Sequence, residues 1–303
     1  MEIVEKIEGQ MSIADMVAYG GTSSENYVTM HNAIVTRVET AIRTFTPDYT
    51  TFMQMLIVHH VVISGSVALW VFLPSSEWKP NDMDLYVPCR RVHGVLRCLR
   101  SLGYIPVKRP DAIVRETRYS SRSAIASVTK VTNGDISIDV IESKSPSPFV
   151  PIFKFHITAV MNFISADGFF AAYPTLTTKR RAIFNSLRLP NGVPSTKTLL
   201  CYKKYRERGY ELAFTSVRWS DDEHHLHVCQ RSSECPQTIR STFDPGCLFT
   251  SLRIVDKDNI VEDVVTPRCF EDRRAVVWHV GGESCYGDRE SLRPFRVWRA
   301  GYI

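Results

Sequence analysis

Three aspartates and a glycine-serine pair have residue types and spacing suited to chemistry on phosphate groups. Asp82 and Asp84 stand two apart in NDMDLY, and Asp139 stands in IDV. Carboxylates two apart on a strand lie on one face and can bind a divalent cation together. Gly65-Ser66 follows an apolar run, where a glycine permits a tight backbone turn and a following helix offers free N–H groups to phosphate oxygens. These residues predict a site for a metal ion and phosphate.

The surrounding pattern predicts the elements that position these side chains. Residues 56–63 are apolar on both faces, as in a central strand, and residues 67–73 continue as a short buried helix. Residues 82–87 alternate apolar and polar, which predicts a strand with both acids on one face. Residues 125–131 and 135–141 predict a hairpin with Asp139 on its polar face. The three acids are therefore expected on neighbouring strands.

Together with helical periodicity and helix stop signals, these strands predict an α/β (α+β) fold class. The expected architecture is a small mixed sheet flanked by helices, with a β-rich C-terminal segment. Helices are expected at 27–44, 92–102, 178–186 and 197–208, and a further strand at 153–163. Residues 1–26 are polar and expected to be loosely ordered, and residues 27–211 to form the core with its flanking helices. Residues 212–303 are expected to be a β-rich extension with short strands at 212–219, 248–255, 275–280 and 295–299.

The ordered motifs S-G-S, N-D-M-D-L-Y and I-D-V resemble the hG[GS], Dh[DE]h and h[DE]h elements of the nucleotidyltransferase superfold. That superfold includes polymerase-beta-like enzymes, poly(A) and CCA-adding enzymes, and aminoglycoside nucleotidyltransferases. By this resemblance Gly65 and Ser66 match the turn, Asp82 and Asp84 the paired metal ligands, and Asp139 the third acid. Residues 200–210 also look like a helix found after the core in some uncharacterised fungal members. The spacing between the turn and the paired acids is longer than usual in the family.

The resemblance implies a metal-dependent nucleotidyltransferase that uses Mg²⁺ or Mn²⁺ to move a nucleoside monophosphate from a nucleoside triphosphate to an acceptor. The sequence does not identify the acceptor, and a nucleic-acid end, a protein side chain or a small hydroxylated molecule all remain open. The alternative is a catalytically inactive protein that retains the fold for binding or interaction. Retention of all three acids favours the enzyme.

Two clusters of chemically active side chains lie outside these motifs. Lys204 and Arg208 stand four apart on an expected helix, so they share a side and are the strongest candidates for binding phosphate. A run of charges on a helix is more often its solvated face. His227, Cys229, Cys235 and Cys247 have the ligand types of a structural zinc site, although their spacing matches no tight knuckle. A His-rich surface loop with core thiols is the competing interpretation.

Composition sets the remaining expectations. The chain has 303 residues, 44% of them hydrophobic, and a formal charge of +5, which favours anionic ligands without requiring nucleic acid. The N-terminus has no basic start followed by an apolar run, so no signal peptide is predicted and an intracellular, cytoplasmic or nuclear location is expected. Residues 55–74 are long enough for a membrane span, but their histidines and Ser-Gly-Ser break favour a strand, a turn and a helix, and no membrane partner is expected.

Overall fold

The computed structural model describes residues 9–74, 77–107, 123–189, 192–219, 229–253 and 275–282. Within them the chain forms seven α-helices and a mixed sheet flanked by helices. The helices are α1 Ile13–Gly20, α2 Ser24–Arg43, α3 Tyr49–His59, α4 Gly65–Phe72, α5 Val92–Ser101, α6 Pro174–Thr178 and α7 Thr196–Glu207. The strands are β1 Val62–Ser64, β2 Asp82–Val87, β3 Ile105–Pro106, β4 Ile125–Asn133, β5 Ile136–Ser143, β6 Asn162–Ile164, β7 Gly168–Ala171, β8 Arg181–Ile183, β9 Glu211–Ala213, β10 Arg240–Ser241, β11 Leu248–Ser251 and β12 Val277–Trp278.

The main sheet has eight strands in the order β11-β7-β6-β1-β2-β5-β4-β3. Strands β2 and β5 run parallel in its centre, and the other neighbouring pairs are antiparallel. Two further pairs, β8 with β9 and β10 with β12, lie outside it. The sheet is thus mixed, as predicted, but larger than the small sheet expected, because β11 joins it from the C-terminal segment.

The alternation in β2 determines which side chains enter the core. Met83, Leu85 and Val87 are fully buried against the helices of one face. Tyr86, on the opposite face with the acids, packs into a second, aromatic core that includes Phe163 and Trp278. The period of two therefore separates the apolar side of the strand from the side that carries the acids.

The predicted hairpin is confirmed. Strands β4 and β5 pair antiparallel, and their turn contains Gly134 at φ +62°, a left-handed conformation that glycine adopts readily. The helices predicted at 27–44, 67–73, 92–102 and 197–208 are also present, with ends shifted by up to three residues. Gly103 and Gly209 follow the last two of these helices at positive φ, as expected of C-terminal stop signals.

The strand predicted at 56–63 is wrong over most of its length. Residues up to His59 belong to α3, and the strand is only β1. The buried residues Phe52, Met55 and Leu56 recur at helical spacing, whereas Ile57 and Val58 are 45% and 56% exposed. A continuous apolar run does not distinguish a helix from a buried strand, and here the preceding residues supply the helical stripe. The left-handed His60 then ends the helix.

Two further predictions are wrong. Residues 153–163 form 3₁₀ turns at Ile152–Lys154 and Thr158–Val160 and become a strand only at β6. The helix predicted at 178–186 is instead the end of α6 followed by β8, because Arg180 adopts a left-handed conformation at φ +52° between them. Tertiary packing, rather than the local sequence pattern, determines the secondary structure of short apolar segments of this kind.

The N-terminal segment is more ordered than predicted. Ser12 and Asp15 form a reciprocal capping box at the start of α1, and Ile13 and Met16 are fully buried. Loose order is therefore wrong for this helix. In the C-terminal segment, strands β9, β11 and β12 overlap three of the predicted runs, but the run at 212–219 is a strand only up to Ala213 and a 3₁₀ helix at Ser216–Trp219. Residues 295–299 lie outside the described residues. No helix in the described part of the chain is long and apolar enough to span a membrane.

Candidate active site

The candidate acids meet in the centre of the sheet. In the parallel pairing of β2 with β5, Asp84 lies directly opposite Asp139, and Asp82 lies opposite Ser137. In the antiparallel pairing of β1 with β2, Ser64 lies opposite Asp84. Directly opposed side chains on neighbouring strands share a face. The structure thus places the three predicted acids together beside the end of β1, where the glycine-serine turn begins.

Lys130 extends this row of side chains by one more strand. It lies opposite Asp139 in the pairing of β4 with β5, and it is exposed. Its positive charge lowers the pKa of the Asp84 carboxyl, although less than burial raises it. The alternation of β4 could have revealed this lysine, but its register against β5 could not be obtained from the sequence alone.

Gly65 packs directly against the central acid. Its backbone is left-handed at φ +66°, and a Cβ atom placed on it would lie 2.0 Å from Asp84 Oδ2. Only glycine satisfies both the backbone conformation and this close approach. The turn and the acids are therefore parts of one site.

The N-terminus of α4 opens at this turn. Ser64 precedes the helix, but its hydroxyl donates to the carbonyl of Asn162 at 2.5 Å and makes no cap to the helix backbone. The first N–H groups of α4 therefore have no side-chain cap from Ser64, and a helix N-terminus of this kind favours anions. Ser66 lies in this first turn and is 4% exposed.

Electrostatics single out Asp84 among the acids. Burial raises the pKa of its carboxyl to about 7, with further increases from the negative charges of Asp82 and Asp139. The positive charges of Lys204 and Lys130 act in the opposite direction. Close to neutral pH this carboxyl therefore exchanges a proton readily, and a bound cation would stabilise its charged form.

Helix α7 brings the two predicted cations to the acids. Lys204 interacts electrostatically with Asp84, and Arg208, which caps the helix, interacts with Asp82. Arg208 is half-buried, and its guanidinium lies 3.9 Å from the ring centroid of Trp78. The i,i+4 pair chosen from the sequence thus lies at the acid site.

Tyr205 also lies at this site, although no pattern in the sequence singles it out. Tyr205, on α7, is buried, interacts with Asp84 and has its ring centroid 5.4 Å from the Arg208 guanidinium. Trp78 contacts the same guanidinium, so one of its faces is covered by Arg208 rather than left for a nucleobase. Tyr86, on the same strand as the acids, is buried and makes an edge contact with Phe155.

Three carboxylates are the kind of donor set that a hard divalent cation such as Mg²⁺ or Mn²⁺ accepts. Asp82 and Asp139 are close enough to Asp84 for their negative charges to raise its pKa. Among the described residues, however, no three His, Cys, Asp or Glu side chains converge as a ready-made metal-binding group. The acids fit the chemistry of such a cation without being preassembled around one point.

Among the described residues, the possible zinc ligands do not form one metal-binding group. The Sγ atoms of Cys229 and Cys235 lie 3.8 Å apart. The Sγ atom of Cys247 lies 3.2 Å from an Arg240 nitrogen, and burial raises the pKa of its thiol to about 12. His227 lies outside the described residues. The four residues are not seen together as a zinc site in the part of the chain that the structure describes.

Comparison with known proteins gives no family assignment. No family model, curated protein or solved structure matches the chain.

Proposed function

We propose that this protein is a metal-dependent nucleotidyltransferase that moves a nucleoside monophosphate from a nucleoside triphosphate to a hydroxyl-bearing acceptor. One observation carries the proposal: Asp84 lies in register with Asp139 on the neighbouring strand while touching Gly65 at the start of a helix. Carboxylates for a cation and an uncapped helix N-terminus for phosphate thus occupy one place. The motif resemblance in the sequence supports the same reading.

Each group of residues has a role in this reaction. The first turn of α4, beginning at Gly65-Ser66, binds phosphate oxygens through its N–H groups, and Lys204 and Arg208 neutralise the phosphate charge from the other side. Asp139 orients the acceptor hydroxyl and accepts its proton. The hydroxyl oxygen bonds to the α-phosphorus, the bond to the bridging oxygen breaks, and pyrophosphate leaves.

The acids fit Mg²⁺ or Mn²⁺, with Asp82 and Asp84 as the residues that hold a triphosphate-bound cation and Asp139 sharing a second one. Such a cation supplies neutralisation of charge on the reacting phosphate groups. The raised pKa of Asp84 is consistent with this assignment, because three adjacent carboxylates favour either a proton or a cation.

Thermal unfolding tests the proposal without knowledge of the acceptor. Wild type is heated with Mg²⁺ or Mn²⁺ and each nucleoside triphosphate in turn, beside Asp82→Asn/Asp84→Asn. A triphosphate at a hundred times its dissociation constant should stabilise wild type by about 2.7 kcal/mol. The double variant should lose this stabilisation. Asp135→Asn is the matched control, since Asp135 is an exposed acid in the turn of the same hairpin.

Turnover is the second measurement. Release of pyrophosphate in the presence of the stabilising triphosphate, absent from the double variant, would support transfer. If no triphosphate stabilises wild type with either metal ion, the protein is instead an inactive relative of the fold that binds another partner.

A further inference from the structure

Trp78 and Arg208 form a stacked pair at the edge of the acid site. Trp78 lies in the segment between α4 and β2, four residues before Asp82, and Arg208 lies at the end of α7. The guanidinium is 3.9 Å from the indole centroid. Contacts of this kind between arginine and tryptophan hold the planar guanidinium in a fixed orientation. The pair therefore joins the segment that leads to the acids to the helix that carries the cations.

The pair has two donors without acceptors. Trp78 Nε1 and Arg208 Nη1 are both buried, and neither has a hydrogen-bond partner within the described chain. Both groups can only donate. A buried donor without an acceptor destabilises the folded protein, so buried polar groups of this kind call for an explanation such as a ligand or a water. Two of them in contacting side chains indicate a ligand group rich in acceptor oxygens.

The position of the pair favours phosphate as that group. Arg208 interacts with Asp82, and Tyr205, which contacts the same guanidinium, interacts with Asp84. A nucleoside triphosphate held at the acids would bring its outer phosphates, which carry only acceptor oxygens, to the cations of α7. A guanidinium binds such oxygens through a planar set of donors, and a neighbouring indole N–H adds one more.

We infer that Trp78 and Arg208 act as one unit that binds the outer phosphates of the nucleotide, with Trp78 as a specificity-determining residue. The inference rests on the proposed function for the identity of the nucleotide. Trp78 has two tasks in it: its ring fixes the orientation of the Arg208 guanidinium, and its Nε1–H donates to a phosphate oxygen. The unit distinguishes a triphosphate from a monophosphate, because only the triphosphate reaches it.

Binding of inorganic tripolyphosphate by titration calorimetry tests the inference directly, with metal ions removed by a chelator. Trp78→Phe keeps an aromatic ring under Arg208 and removes the N–H. We expect it to bind tripolyphosphate about 10- to 150-fold more weakly than wild type, the effect of losing one hydrogen bond to a charged group. Nucleoside monophosphate should bind both proteins equally. Without ligand, the melting temperature of Trp78→Phe should not fall, since the donor it loses has no partner.

Trp219→Phe is the matched control. Trp219 also lies beside an arginine, with the Arg181 guanidinium 5.5 Å from its ring, but its Nε1 already donates to Glu211 at 2.7 Å. This variant should bind tripolyphosphate as wild type does. Arg208→Gln, which removes the charge and the fork of donors, should weaken binding more than Trp78→Phe.

The outcomes separate this inference from the proposed function. If Trp78→Phe binds tripolyphosphate as tightly as wild type, or if wild type does not bind it, the donor pair does not recognise phosphate and the inference fails. Metal-dependent binding of a nucleoside triphosphate by wild type would still leave the proposed function standing. If tripolyphosphate binding depends on Trp78 but no nucleoside triphosphate binds with Mg²⁺ or Mn²⁺, the phosphate site stands and the transferase does not.

Discussion

Gly65 and Asp84 are in such close contact that the glycine has no room for a side chain: a Cβ atom there would lie 2.0 Å from Asp84 Oδ2. The turn between β1 and α4 and the acid of β2 are thereby locked into one arrangement. Any change that separates them alters both the start of the helix and the position of the carboxyl.

Gly65→Ala should therefore be strongly destabilising and should weaken triphosphate binding. The alanine meets two penalties, a left-handed backbone at φ +66° and the contact with Asp84. The backbone conformation alone should cost about 1–2 kcal/mol. We expect a larger total loss in the free energy of unfolding, measured by urea denaturation.

Gly134→Ala separates the two penalties. Gly134 has nearly the same φ, +62°, but a Cβ atom there meets nothing within 4 Å. Gly134→Ala should therefore lose only the stability that the left-handed backbone conformation costs, and it should bind triphosphate as wild type does. Adding Asp84→Ala to Gly65→Ala should recover part of the loss, because the carboxylate is the nearest obstacle. Equal losses in the two glycine variants would mean that the contact with Asp84 has no energetic effect.

The pKa of Asp84 predicts an unusual dependence of stability on pH. In the unfolded chain this carboxyl has a pKa near 3.8, and burial with two neighbouring acids raises it to about 7 in the folded protein. The folded state thus binds the proton more tightly, so stability falls as the pH rises from about 4 to about 7 and Asp84 ionises. Asp84→Asn should be more stable than wild type near pH 8, by up to about 4 kcal/mol at this shift.

The stability of wild type must be compared with that of Asp84→Asn at each pH, because the shifted pKa of His156 changes stability with pH in the opposite direction. Burial, with a smaller contribution from Arg188 and Lys204, lowers the pKa of His156 from 6.5 to about 4, so its contribution is lost as the pH falls through that range. In wild type the two effects partly cancel. The difference in unfolding free energy between Asp84→Asn and wild type, measured from pH 5 to 8 without metal, isolates Asp84. A difference that does not change with pH would show that folding does not raise the pKa of the Asp84 carboxyl.

The same carboxyl predicts competition between protons and metal ions. Mg²⁺ or Mn²⁺ binds the ionised form, so the apparent affinity should fall about tenfold for each pH unit below the pKa of Asp84. Because half of the carboxyl is already protonated at a pH equal to its pKa of about 7, we expect the concentration of Mn²⁺ that half-saturates the site to be about fivefold higher at pH 6 than at pH 7. Asp139→Asn should raise that concentration at both values. An affinity independent of pH would argue against Asp84 as a ligand.

The sequence revealed the acid strands because their pattern has a clear period. In β2, alternation alone assigned Met83 and Leu85 to the core and Asp82 and Asp84 to the other face, and the structure agrees. The hairpin was equally accessible, since its turn contains the asparagine and glycine that such turns require. Local signals of this strength need no tertiary information.

The remaining parts of the site depend on contacts distant in sequence. The apolar run before β1 suits a helix as well as a strand, and packing of Phe52 and Met55 makes it a helix. The stacking of Arg208 on Trp78 joins residues 130 positions apart, and no spacing rule predicts it. Similarly, Asp139 raises the pKa of Asp84 only because the pairing of β2 with β5 brings the two acids opposite each other.

Zinc analysis tests the remaining metal prediction. Cys247 lies beside Arg240, and its raised pKa keeps it a thiol, whereas zinc binds the thiolate. Cys247→Ser should therefore leave the zinc content of the purified protein unchanged, measured by atomic emission. If zinc is present in wild type and falls in this variant, Cys247 is a ligand and its environment must differ from the one described.

Arg240 should anchor the C-terminal segment through a buried ion pair. Its side chain is fully buried, with Nε 2.8 Å from Asp244 Oδ2 and Nη1 2.7 Å from the Ser233 carbonyl, and its guanidinium is 4.7 Å from the Tyr173 ring. Asp244→Ala leaves that buried charge without its partner, which typically costs about 3–5 kcal/mol. Urea denaturation measures the loss.

The pair between Arg43 and Glu39 provides the comparison, because it is also four residues apart but its side chains are 49% and 37% exposed. Glu39→Ala should cost no more than about 1 kcal/mol, since exposed ion pairs contribute little. If the two alanine variants lose the same stability, burial has not strengthened the dependence of Arg240 on Asp244. A large loss at Asp244 alone would show that the buried guanidinium of Arg240, which packs over the Tyr173 ring, depends on its pairing with Asp244.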